Sequence, residues 1–167
     1  MDGCQLLVNA AGQVPYGMLV AQDASAESLT VSRCSIAGAH TGIKFDLNSR
    51  LVGVRIDGND FSNARSCGID MVSTSGDAAG AVEIVNNTFV AAPIVIRTVP
   101  SMGRVTIAHN SVYSSGDQIG VLLNQGNGNP GAVFRIVDNV LATSGTSVVL
   151  SEGTAGVVAS SDYNDLY

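Results

Sequence analysis

An eight-residue pattern returns along this chain at an average interval of 26 residues. It reads VRIDGNDF at Val54–Phe61, VEIVNNTF at Val82–Phe89, VTIAHNSV at Val105–Val112 and FRIVDNVL at Phe134–Leu141, with a looser copy, LTVSRCSI, at Leu29–Ile36. Aligned on the turn residue, the copies place Asn9, Cys34, Asn59, Asn87, Asn110, Asn139 and Asn164 in one column. Apolar residues two apart, then a turn residue, then another apolar residue spell strand, corner, strand. A fixed beat of this size is the signature of a coil whose turns stack, because no single repeat can bury its own apolar face.

A second motif follows each corner, a small residue and then alternating apolar positions. Its copies are Gly17–Val20, Gly42–Phe45, Gly68–Met71, Pro93–Ile96, Gly120–Leu123 and Ser147–Leu150. Each repeat therefore holds three short strands and three turns. Four inward columns are expected: Val31, Ile56, Ile84, Ile107 and Ile136; Leu29, Val54, Val82, Val105 and Phe134; Ile36, Phe61, Phe89, Val112 and Leu141; Met18, Ile43, Ile69, Ile94, Val121 and Val148. The corner Asn is expected to take the left-handed backbone of a sharp turn, and to bond the amides above and below it. Cys34 interrupts that ladder.

Composition agrees. Among 167 residues, 46% are hydrophobic but only 5% aromatic and 13% charged, and 19 are Gly. Such a mixture suits strands broken by turns, not amphipathic helices. Net charge is −6 and Lys44 is the sole lysine, so a basic footprint for nucleic acid is missing. No segment reaches the length of an apolar transmembrane helix, and the N-terminus lacks the basic and apolar regions of a signal peptide. Cys4, Cys34 and Cys67 show no CxxC or Cys/His spacing, so no metal site is expected and all three are read as buried free thiols.

From about Gly17 to Tyr167 these repeats resemble the right-handed parallel β-helix of pectate lyases, polygalacturonases and related carbohydrate-active proteins. The expected fold is all-β: one single-stranded parallel β-helix over residues 1–167, about six rungs, little or no helix, ends uncapped. The chain starts in mid-rung and stops after a turn, which reads as a piece of a longer protein or as a homo-oligomer joined through its ends. The resemblance implies an extracellular or cell-surface location and an acidic polysaccharide as partner, while the lack of a long apolar segment leaves no membrane partner expected. The resemblance also implies a substrate groove along the outer face of the Gly-led strand, bordered by the long connections Val72–Gly80 and Asn124–Gly131.

Outward positions of that strand form two columns, Leu19, Lys44, Asp70, Val95, Leu122 and Val149, and Ala21, Asp46, Val72, Arg97, Asn124 and Ser151. Polar side chains gather at Lys44, Asp46, Asp70 and Arg97, the candidate catalytic residues. Asp46 and Asp70, diagonal neighbours at about 7–8 Å, could flank a glycosidic bond with room for a water, as in an inverting hydrolase. By resemblance to lyases, the carboxylates would instead bind Ca²⁺ while Lys44 or Arg97 abstracts a proton. An epimerase is the third enzymatic option. No cofactor is read from the residues themselves. His40, which could overhang the groove, and Asn124, in the second outward column, are candidate substrate-binding residues. The alternative is a non-catalytic scaffold or binding module, with Lys44 and Asp70 an exposed ion pair contributing about 0–1 kcal/mol. Arg55, Glu83, Thr106 and Arg135 line another outer face and are read as fixing register. His109 lies one place before a corner Asn, on a different face. Gly126–Gly131 is read as a turn and not a phosphate loop, and Asn86–Thr88 matches a glycosylation acceptor.

Overall fold

The alternating columns are realised as stacked parallel strands. The computed structural model describes residues 3, 5–7, 15–72, 81–91, 94–97, 103–114, 120–124, 133–144, 150–152 and 158–167. Every described strand pairs in parallel with strands one repeat away, never with its neighbour in sequence. Sheet I, leading into the Asn corner, stacks Thr30–Ser32, Val54–Asp57, Ala81–Val85, Arg104–Ala108, Val133–Val137 and Val158–Asp162. Sheet II, leaving the corner, stacks Gln5–Leu7, Ser35–Ala37, Asp60–Asn63, Thr88–Val90, Ser111–Ser114, Val140–Thr143 and Asp165–Leu166. Sheet III carries the Gly-led motif as Tyr16–Val20, Thr41–Phe45, Cys67–Val72, Ile94–Arg97, Val121–Asn124 and Leu150–Glu152. A short fourth pair, Ser25–Glu27 with Arg50–Val52, adds a strand to two rungs that three strands per repeat did not anticipate. The fold is a parallel β-solenoid. Among the described residues there is no helix, hence none long and apolar enough to cross a membrane.

Like residues meet along the axis. Val31, Ile56, Ile84, Ile107 and Ile136 are in register and fully buried. Phe61 and Phe89 stack with ring centroids 4.8 Å apart and planes 7° from parallel. Burying side chains of this size stabilises by about 1.5–3 kcal/mol each, and the columns join into one continuous core. One register departs from expectation: Leu150, not Val148, stacks on Val121. Ser151 thereby pairs in register with Leu122, where Val149 was expected. Asn9, Val148, Val149, residues 73–80 and residues 125–131 lie outside the described residues.

The corner differs from expectation by one residue. Positive φ belongs to the position before the Asn or Cys: Arg33, Gly58, Asn86, His109, Asp138 and Tyr163, all between 51° and 66°. The backbone N–H of this residue donates to the next rung, as Asn86 does to Ala108 O at 3.1 Å and His109 to Val137 O at 3.2 Å. That bond helps hold non-Gly residues in a conformation they otherwise avoid. The Asn side chain, released from making the turn, forms the ladder. Each Oδ1 accepts the backbone N–H and the Nδ2–H of the Asn one rung earlier, linking Asn59, Asn87, Asn110, Asn139 and Asn164 at 2.9–3.0 Å. Each Nδ2 also donates to an inward carbonyl of the preceding rung: Val31, Ile56, Ile84, Ile107 or Ile136, at 2.9–3.0 Å. At Cys34 the ladder keeps only the backbone donor, Cys34 N–H to Asn59 Oδ1 at 3.0 Å. Cys34 is disulfide-bonded, which corrects the free-thiol reading there; Cys67 is a buried free thiol.

Candidate functional site

Sheet III positions the predicted residues through its register. Leu19, Lys44, Asp70, Val95 and Leu122 stand in one register column. Val72, Arg97 and Asn124 form the neighbouring column. Lys44, Asp70, Arg97 and Asn124 thus belong to four consecutive rungs of one sheet. For Arg97 and Asn124 the description extends to the backbone alone.

Lys44 Nζ donates to Asp70 Oδ2 at 2.6 Å, with the two side chains 13% and 5% exposed. The solvated surface pair expected from strand alternation is instead a largely buried one. Burial changes its energetics, because removing one partner of a buried pair strands the other charge at about 3–5 kcal/mol, against about 0–1 kcal/mol at an exposed site. The two charges face each other across adjacent rungs as a hydrogen-bonded pair.

Asp46 sits just past the end of its strand. Its Oδ1 accepts the Leu47 N–H at 2.9 Å, its carbonyl accepts the Ser49 N–H at 3.0 Å, and its N–H donates to Val20 O at 2.9 Å. Its carboxylate is thereby tied to its own corner. His40 is exposed at the entry to Thr41–Phe45, where its carbonyl accepts from Ser66 and Cys67 at 2.9 and 3.3 Å. His109 lies on the Asn corner, with Nε2 3.9 Å from Asp138 Oδ2. Among the described residues no group of three or more His, Cys, Asp and Glu side chains is arranged to hold a metal ion.

A second polar cluster lies on the outer face of sheet I, and sequence reasoning saw only its Arg55–Glu83 part. Arg55 lies beside Glu83 in register, as expected, and is ion-paired with it. It also donates to Asp57 Oδ2 from Nε at 3.2 Å and Nη2 at 3.0 Å, while Asn86 Nδ2 donates to Asp57 Oδ1 at 2.8 Å. The signal was present in the alternation, since Arg55 and Asp57 are two apart and share a face. The Asn86 amide, and then Arg55, hold the Asp57 carboxyl below its ordinary value against the opposing effect of burial. Bonding to Asp57 raises the Arg55 guanidinium further.

A depressed carboxylate favours the folded state above its unfolded value of 3.8, and that contribution disappears as pH falls through the folded value below it. The wild type is therefore expected to lose stability below pH 3.8 more steeply than the Asp57→Asn variant. Urea midpoints of both proteins across the acid range check this; parallel acid limbs would show that Asp57 makes no such contribution.

Comparison with protein-family models, with curated proteins and with solved structures finds no match to this chain.

Proposed function

We propose that this protein is a glycan-binding β-solenoid that holds an acidic polysaccharide along the outer face of sheet III. Lys44, Asp70, Arg97 and Asn124 form the bed of the site, and Asp46 and His40 its rims. The observation that carries the reading is the register, which puts the polar residues on consecutive rungs of one sheet. Rungs about 4.8 Å apart repeat at close to the length of one sugar unit, so a chain crossing the strands meets a polar residue at each step. The likeness of the repeats to those of pectate lyases and polygalacturonases supports an acidic polymer. The pairing of Lys44 with Asp70 favours binding over catalysis. A disulfide at Cys34 supports an oxidising, extracytoplasmic location.

Electrophoresis through gels containing polygalacturonate or alginate tests the reading. Wild type is expected to be retarded by at least one polymer. The Lys44→Gln/Asp70→Asn double variant, which leaves no stranded charge, should run at least about tenfold weaker in apparent affinity, the loss of about 1.4 kcal/mol of contact. Wild-type mobility unaffected by either polymer removes the proposal. Release of unsaturated uronates or new reducing ends in the same mixtures would replace binding with a lyase or hydrolase activity.

One observation favours a second reading, a scaffold that associates through its ends. Leu166 is 57% exposed, whereas Ile36, Phe61, Phe89, Val112 and Leu141 of the same column are at most 2% exposed. A further rung, from a second copy or from continuing chain, would cover it. Light scattering on the same samples decides between the readings, since a mass independent of concentration counts against association.

A further inference from the structure

The outer face of sheet I carries two adjoining concavities that the sheet III site does not use. One, of about 380 Å³, is lined by Thr30, Ser32, Arg33, Asp57 and Gly58. The other, of about 330 Å³, runs from Ser28 and Gly53 past Thr30 and Arg55 to Ala81 and Glu83. Thr30 belongs to both, so they form a single groove along Val54–Asp57. Glycines stand at either end, Gly53 at φ 63° and Gly58 at φ 66°, where the chain turns in the left-handed region beside Ser28 and Arg33.

Fixed hydrogen-bonding groups line the groove. Arg55 uses three of its N–H donors on Asp57 and Glu83, which leaves two of the five on a guanidinium for a ligand. Glu83 accepts Arg55 through Oε2, and its Oε1 remains as an acceptor. A guanidinium N–H beside a carboxylate oxygen matches adjacent hydroxyls of a sugar ring, one accepting and one donating. Because the network is already locked, little order is lost on binding. Charge selects the ligand class. Arg33 and Arg55 offset Asp57 and Glu83, so the groove attracts neither a polyanion nor a cation. Its two parts, each at the lower end of the roughly 300–1,000 Å³ of ligand pockets, match one pyranose ring apiece.

From this we infer a second carbohydrate site on sheet I, specific for a neutral disaccharide bound between Gly53 and Gly58 with Arg55 and Glu83 at its centre. It stands apart from the sheet III reading in both face and ligand charge.

The test is titration of the ¹⁵N-labelled protein with cellobiose, maltose and lactose, with digalacturonate as the charged comparison. At least one neutral disaccharide is expected to shift the amides of Thr30, Gly53, Arg55 and Gly58. Thr30→Tyr, which fills the shared position with a residue that strands accept, should abolish those shifts. Thr30→Ser should keep them within about twofold in affinity, about 0.4 kcal/mol. The inference is overturned if no neutral disaccharide moves these amides, if digalacturonate alone does, or if Thr30→Tyr responds like wild type. Loss of response in both Thr30 variants would also count against it, since the serine variant leaves the cleft unfilled.

Discussion

Replacing Asn87 with alanine should cost about 3–5 kcal/mol, the sum of several buried polar groups deprived of partners at about 1–3 kcal/mol each. The side chain is 1% exposed. Its Oδ1 accepts the N–H and Nδ2–H of Asn59, and its Nδ2 donates to Ile56 O and Asn110 Oδ1. Alanine removes all four bonds at once, inside a stack where water cannot substitute. Asn87→Asp should be at least as damaging, because it turns a carboxylate oxygen toward two acceptors. The adjacent Asn86 provides the contrast. It is exposed, has φ 58° and bonds only at the surface. Asn86→Gly relieves the left-handed backbone while losing the bond to Asp57, so its net effect should stay within about 1 kcal/mol. Urea midpoints of the three variants check this. Equal losses at the two neighbouring asparagines would mean that the amide ladder contributes nothing special.

Gly42→Ala is the second large effect, and its cause is steric. A Cβ at Gly42 would lie 2.5 Å from Gly68 O and 2.7 Å from Phe61 Cδ1. At Gly17 the same atom would meet Ile36 Cγ2 at 2.6 Å and Gly42 O at 2.7 Å. Backbone oxygen cannot yield as a flexible side chain does, so the sheet must open where sheets II and III approach each other. Overpacking of this kind costs about 1–3 kcal/mol, and the backbone clash puts Gly42→Ala at about 3 kcal/mol. Thermal unfolding should register a fall of about 6–12 °C at the roughly 2–4 °C per kcal/mol of a chain this size. Gly42→Val should not fold. A Gly42→Ala midpoint within about 2 °C of wild type would mean that the strand has room the geometry denies.

The parts of this architecture that sequence made legible are those with a repeating chemical demand. Ile56, Ile84, Ile107 and Ile136 announce an inward column because every rung must bury an apolar side chain at the same place. Asn59, Asn87, Asn110 and Asn139 announce the ladder because a side-chain amide offers two N–H donors and a separate carbonyl acceptor together. The left-handed position escaped because its demand falls on the backbone. Arg33, Gly58, Asn86, His109, Asp138 and Tyr163 are six different residue types sharing one φ region. The strand at Leu150 was misplaced by two residues since such a shift keeps the same face inward, and period two cannot detect it.

At the sheet III site, alternation placed Lys44 and Asp70 on one outward column but not under cover. Burial of an outward residue depends on what lies over the sheet, and strand periodicity carries no information about that. Beyond its Arg55–Glu83 pair, the Arg55–Asp57–Asn86–Glu83 network escaped for a related reason. Its members come from two rungs and one corner, and only the register brings them together.

Hydrogen exchange of the backbone amides, measured with and without a saturating acidic polysaccharide, tests the functional account most directly because it reports where the polymer lies. The expected result is added protection confined to sheet III and its borders, at Thr41–Phe45, Cys67–Val72, Ile94–Arg97 and Val121–Asn124, with sheets I and II unchanged. Protection that appears on sheet I or sheet II, or on no sheet, would contradict it.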